Sequence, residues 1–158
     1  RDFLSIFGEY CDEIALENFA PCWPNFDVTE MTGIQLGSEG IYKQPLSNVD
    51  VCPYIFYSLA INSDGSVSAC FIDWEHKLLV GNIHSPNTTL HDIWNSHALN
   101  SMRRMHLLGL RRSAIVTHPS QKVCGNCGHM DYCMPDNIDA YRNTLLERLK
   151  ESFDAIPN

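Results

Sequence analysis

Apolar and polar positions are patterned most clearly in IFYSLAINSDGSVSACFID, residues 55–73. Two runs rich in β-branched and aromatic residues flank Ser63-Asp64-Gly65, which predicts a β-hairpin. Gly65 suits the turn because it takes positive φ without a Cβ penalty. LLVGNI (78–83) predicts a further short strand ending at Gly81. Upstream, DEIALENF (12–19) predicts a strand, since Ile14 and Leu16 alternate with Glu13 and Glu17 although Ala15 blurs the pattern. Residues 2–11 read as the end of a helix. APCWPNFD is broken by Pro21 and Pro24. Residues 29–50, with Gly33, Gly37, Gly40 and Pro45, predict a long loop linking two structural units.

The second half of the chain switches to helical spacing. Thr88 or Thr89 can cap a short helix, TLHDIWN, with Asp92 in its first turn. Ser96 can cap another that runs to Gly109, a C-cap residue. Ala98, Met102, Met105 and Leu108 share one face of it, and the methionines read as core filler. Asp136 or Asn137 can cap a final helix. There Ile138, Tyr141, Leu145 and Leu149 recur at helical spacing, with Glu147, Arg148 and Lys150 elsewhere, so this helix is expected to pack on the domain. The expected fold class is α+β. It comprises a small hairpin, then helices and a cysteine-rich knuckle, preceded by a segment of another unit.

Composition narrows the functions open to such a chain. The 158 residues suffice for one core, with 44% hydrophobic and 19% charged residues. No apolar run approaches the ~20 residues of a membrane span, so no membrane partner is expected. A net charge of −8 argues against nucleic acid as a partner, which would need a basic face. The pairs Arg103-Arg104 and Arg111-Arg112 read as a solvated helix face. The chain starts directly on apolar Phe3, Leu4, Ile6 and Phe7, with no leader or initiator methionine, as an excised piece of a longer protein would. The seven cysteines form no even disulfide framework. A reducing cytoplasm is therefore expected, where clustered cysteines bind metal or do redox chemistry.

Three of the seven lie in VCGNCGHMDYC, residues 123–133. Cys124 and Cys127 form a C-x-x-C pair that can offer two sulfurs to one metal centre. Gly125 and Gly128 allow a tight turn whose N–H groups can face those sulfurs, a lever on iron–sulfur potentials. Two more ligands are needed. Cys52 precedes the first hairpin strand and Cys70 lies near the end of the second, so an antiparallel pairing brings both to the same open end. Cys133 makes a fifth candidate. Four thiolates suit a structural zinc ion and an iron–sulfur cluster equally. A dithiol redox motif fits poorly, because this C-x-x-C does not open a βαβ helix.

CPYIFYSLAINSDGSVSACFID, LLVGNI, TLHDIWNS, MRRMHLLG and CGNC, in that order, resemble the SPASM/twitch auxiliary-cluster domain of radical S-adenosylmethionine enzymes. The shared features are a cysteine near a first strand, Asp-Gly in the turn, and G-x4-C from Gly65 to Cys70. A Gly-Asn motif, an Ile-Trp helix, an Arg-rich helix and C-x-x-C follow. The resemblance covers roughly residues 50–134, and it makes 51–135 the cluster domain and 136–158 a C-terminal helix. DEIALENFAPCWP resembles the last barrel-strand region of such enzymes, which would make 1–50 the end of a partial α/β barrel plus a linker.

The full family pattern for two [4Fe–4S] clusters reads C-x2-C-x5-C-x3-C. Cys124, Cys127 and Cys133 match its first three positions, but Asn137 stands in the fourth. The one-cluster variants use two cysteines before and two after the helical segment. That resemblance implies one [4Fe–4S] cluster on Cys52, Cys70, Cys124 and Cys127, with Cys133 a substitute or bystander. The C-x3-C-x2-C motif that cleaves S-adenosylmethionine is absent. The chain is thus not expected to catalyse alone, and S-adenosylmethionine would bind only in a barrel elsewhere in the same polypeptide.

The implied function is an auxiliary cluster domain of a radical S-adenosylmethionine oxidoreductase or maturase, acting on a peptide or small-molecule substrate. It would relay an electron or shape the substrate site. The competing reading is a zinc-stapled module that binds a protein or peptide, its metal serving only as folding energy. Asp73 stands where the family often has an acid, with turn hydrogen bonding as the plainer role. His129 is an alternative ligand or a surface histidine. Cys11 and Cys22 read as ordinary buried or half-buried thiols, and Trp74 and Trp94 as packing anchors.

Overall fold

In the computed structural model, residues 2–133 and 135–154 are described. They form a small α+β unit around one three-stranded antiparallel sheet of order β1-β2-β3. Strand β1 (Ala60–Ile61) pairs with β2 (Ser66–Ser68), and β2 pairs with β3 (Leu79–Asn82). The expected hairpin is therefore present, and LLVGNI supplies its third strand. Gly65 sits at φ +81° in the turn. Asp64 closes that turn by accepting the Ser66 N–H at 2.9 Å and the Ser66 hydroxyl at 2.7 Å, a local pattern short acidic side chains favour. A bulge between Val67 and Ser68 shifts the register just before Cys70.

The helices are α1 (Asp2–Phe7), α2 (Val28–Thr32), α3 (Leu90–Trp94), α4 (His97–Leu107), α5 (Gln121–Cys124), α6 (His129–Tyr132) and α7 (Arg142–Asp154). Thr89 and Asp92 cap α3 reciprocally, satisfying two N-terminal donors. Ser96 Oγ accepts the Leu99 N–H to start α4, and Gly109 at φ +71° follows its end. Ile93 of α3 presses onto β3 beside Gly81 and is 2% exposed, a burial that contributes roughly 2 kcal/mol. Met102 and Met105 of α4 are buried in the same core as Val67, Ile55 and Leu99. Helix α7 covers a second, smaller cluster of Val51, Leu107 and Leu149.

Several expectations need correction. Residues 12–19 are not a strand: Ile14 and Leu16 are exposed, and the hydrogen bonds to the rest come from Asn18, to Ile41 and Gly40, and from the Tyr42 hydroxyl to Glu17. A strand needs a ladder of partners, and no neighbouring strand lies beside this segment. Among the described residues before Cys52, α1, α2, a single-turn 3₁₀ helix at Gly8–Tyr10 and one bridge, Glu39 to Pro45, are the only regular pieces, so a partial barrel is not seen there. The buried face of α4 runs through Leu99, Met102, Arg103 and His106, while Ala98 and Leu108 are exposed. Arg103 and Arg111 are buried rather than solvated, for reasons given below. Cys11 is exposed.

Before α7 comes a single turn, Asp139–Tyr141, and Asn137 Oδ1 accepts the Asp139 N–H rather than capping the long helix. Tyr141 is exposed, so Ile138, Leu145, Leu146 and Leu149 carry the packing. Residues 155–158 of the expected C-terminal helix lie outside the described residues. Among those described, no helix is long and apolar enough to cross a membrane.

A Cβ at Gly81 would lie 2.7 Å from Ile93 Cγ1 in the packed core. Gly81→Ala should therefore destabilise the chain by ~1–3 kcal/mol, read as a lower urea midpoint. An unchanged midpoint would mean that α3 does not pack tightly on β3.

Candidate metal centre

Backbone donors face three of the cysteine sulfurs, and at two of these the donors are the first N–H groups of a turn, which lack helical partners. Cys52 precedes the single turn Tyr54–Phe56, and the Tyr54 and Ile55 N–H groups face its sulfur. Cys127 precedes α6, and the His129 and Met130 N–H groups face its sulfur. Cys70 follows β2 and receives the Ile72 N–H in the turn that leads to Asp73. Cys124 ends α5. The glycines act differently from expectation. The Gly125 N–H bonds to the Gln121 carbonyl, and a Cβ there would lie 3.0 Å from the Arg111 carbonyl oxygen. A Cβ on Gly128 would lie 2.6 Å from Pro21. These glycines permit close packing, and residues further along supply the donors to sulfur.

Cys52, Cys70, Cys124 and Cys127 line one shared cavity. The side chains between them are mostly apolar, among them Ile55, Ile72, Val123 and Met130. The thiols surround this space rather than meeting at a point: among the described residues no three His, Cys, Asp or Glu side chains form a group that would hold a single ion. Cys133 does not line this cavity. It opens instead on an adjacent cleft with Cys22, Glu17, Phe71 and Tyr54. Tyr54 and His129 border both spaces. His129 Nε2 lies 3.2 Å from the Tyr54 hydroxyl, and its ring packs on Tyr54 and Phe71, so it is a half-buried partition rather than a surface histidine.

Burial dominates the electrostatics. It pushes the Cys52 thiol up to about 11 and the Cys70 thiol to about 12, with the neighbouring thiols adding to the effect. Cys124 and Cys127 are raised for the same leading reason. Cys133 is held at about 11 by burial and then by Cys22. In the metal-free chain these groups are neutral thiols, so metal binding must release protons.

Arg111 is the cation beside the thiols, and it is 3% exposed. Its Nε donates to the Asp50 carbonyl at 3.1 Å, one terminal nitrogen to Val49 at 3.1 Å, and the other to Cys124 at 3.2 Å. One guanidinium thus joins the segment entering Cys52 to the turn carrying Cys124. Arg103, on α4, bridges in the same manner. It donates to the Ile55 and Trp94 carbonyls and stacks 4.2 Å from the Trp94 ring centre. Trp94 is a packing anchor, whereas Trp74 is half exposed and bonds to the Pro24 carbonyl. Asp73 is buried and accepts the Lys77 and Leu78 N–H groups at 2.9 and 2.7 Å, so its carboxylate closes a turn. His106 borders the cavity, and burial depresses its pKa to about 3. Neither Arg111 nor His106 stands out as a site residue in the sequence. For His106 the available signal is its spacing of four from Met102, which puts it on the buried face of α4.

Residues 52–128 match the SPASM family, an iron–sulfur cluster-binding domain. The chain carries a SPASM domain. No curated protein and no solved structure matches it. An iron–sulfur cluster is the cofactor of this domain, and the residues present fit one: four thiols border one largely apolar cavity, with backbone donors turned towards three of the sulfurs.

Two measurements follow from this geometry. The folded SPASM domain keeps its thiols protonated above the pH at which an unfolded cysteine ionises. Between about pH 9 and 12 it therefore binds more protons than the unfolded chain, and metal-free stability should fall as pH rises through that window. Urea midpoints should drop over that range, and drop less in the Cys52→Ala/Cys70→Ala variant; equal drops would refute the link. Arg111→Lys keeps the charge but cannot bridge three carbonyls, and should cost ~2–3 kcal/mol in urea unfolding. A loss within ~0.5 kcal/mol would remove Arg111 as a structural clamp.

Proposed function

We propose that Cys52, Cys70, Cys124 and Cys127 hold one [4Fe–4S] cluster, and that residues 51–135 form the auxiliary cluster domain of a radical S-adenosylmethionine oxidoreductase or maturase. The observation that carries this reading is the shared cavity. It gathers two cysteines from the sheet side and two from the knuckle, and leaves Cys133 in the neighbouring cleft. The C-x3-C-x2-C motif is absent from the sequence, so the barrel that binds S-adenosylmethionine lies elsewhere in the same polypeptide on this reading.

When bound, the cluster supplies a buried one-electron carrier. The residues around it suit that role. Four thiolates would leave no iron site open to a substrate, which favours electron relay over direct substrate binding. The N–H groups of Tyr54, Ile55, Ile72, His129 and Met130 offset negative charge on the sulfurs. Arg111 adds a positive charge beside Cys52, Cys124 and Cys127. Ile72, Leu78 and Val123 keep water from the cavity walls. Tyr54 and His129 separate the cluster cavity from the cleft of Glu17, Phe71 and Cys133, where a peptide or small-molecule substrate would approach.

The chain purified without oxygen and reconstituted with iron and sulfide should hold about four irons and four sulfides with a broad visible band. Serine at position 52, 70, 124 or 127 should lower that content sharply, and Cys133→Ser should leave it unchanged. About one zinc per chain and no visible band after reconstitution would overturn the proposal in favour of a zinc-stapled binding module.

A further inference from the structure

His106 projects from α4 into the core and is 1% exposed. Its Nδ1 accepts the backbone N–H of Cys52 at 3.3 Å. A peptide N–H can only donate, so Nδ1 must present its lone pair, and the neutral ring carries its proton on Nε2. That Nε2 is buried and has no hydrogen-bond partner. Buried donors are almost always paired, so an unpaired one asks for an acceptor that the chain itself does not provide. A trapped water would need two to four polar partners. The cavity beside His106 offers mostly apolar side chains, the four cysteine sulfurs and His129, whose Nδ1 is also buried without a partner. The nearby Arg111 brings only donors, three of them bonded to carbonyls, and no acceptor.

We infer that His106 Nε2–H donates a hydrogen bond to a sulfur of the bound cluster, either an inorganic sulfide or a cysteine thiolate. This rests on the cluster reading above. His106 is then a positioning and tuning residue. Its Nδ1 side fixes the backbone at Cys52, and its Nε2 side places a partial positive charge against sulfur. Reduction adds negative charge to the cluster, and a donor to sulfur stabilises that added charge, so the bond raises the reduction potential. One ring ties the ligand's backbone and the cofactor's electronics to a single face of α4.

The test uses the full chain with its cluster reconstituted and its iron and sulfide counted first. Reduced wild-type protein should show by electron–nuclear double resonance a strongly coupled proton that exchanges in D₂O. His106→Phe should lose that coupling and shift the midpoint potential to more negative values at unchanged iron content. His106→Gln can still accept from Cys52 and donate from its amide nitrogen, and should recover part of both. The inference is overturned if wild type shows no such exchangeable proton. It is equally overturned if His106→Phe keeps the same coupling and potential. If His106→Phe does not retain iron, His129→Phe protein labelled with ring-¹⁵N histidine decides, because a ring-nitrogen coupling separates His106 Nε2–H from the backbone N–H groups at Cys52, Cys70 and Cys127. A chain that binds zinc and no sulfide would sink the cluster reading itself, a result distinct from a loaded cluster indifferent to His106.

Discussion

The Arg111 guanidinium holds the cluster site together. No continuous strand or helix joins the segment entering Cys52 to the turn carrying Cys124. The two meet because one buried cation satisfies the Val49, Asp50 and Cys124 carbonyls at once. A planar fork with five donors can do this in a dry environment, where each lost carbonyl partner would be costly. The rest of the small core depends on that junction. Asp139 adds a second tie by accepting the Asp50 and Val51 N–H groups at 3.1 and 2.8 Å, which anchors the segment before α7 to the same stretch.

The site itself is built from short turns rather than long elements. A cysteine placed just before a turn receives N–H groups that have no helical partner, and this happens at Cys52 and Cys127. On the proposed reading, those donors together with Arg111 would offset the negative charge that four thiolates bring into a low-dielectric cavity. Without a metal the same burial works the other way, favouring neutral thiols. The backbone is thus arranged for a charged occupant that its own side chains, unloaded, avoid becoming.

Particular residues show how far sequence reading reaches. Asp64-Gly65 announced the hairpin because a left-handed turn has few chemical solutions. Thr89 and Ser96 announced helix starts because a hydroxyl before an unpaired N–H is a local fact. Ile14 and Leu16 misled, since alternation describes a strand's faces and not whether a partner strand exists. Arg103 and Arg111 misled in the opposite direction. A charged residue reads as solvated until the carbonyls and rings that receive it are known.

The cysteine order, the Asp-Gly turn and G-x4-C spacing pointed to a SPASM iron–sulfur domain through their resemblance to that family, whereas spacing by itself suits zinc and iron–sulfur equally. Which sulfurs share a space was a matter for the tertiary structure. Cys133 lies six positions from Cys127, close enough in sequence to join it, yet the turn of α6 carries it to the other side of Tyr54 and His129. The roles of Arg111 and His106 likewise emerge only from packing. The partners that define them include residues 54 to 62 positions away, and no local pattern encodes such distant hydrogen bonds.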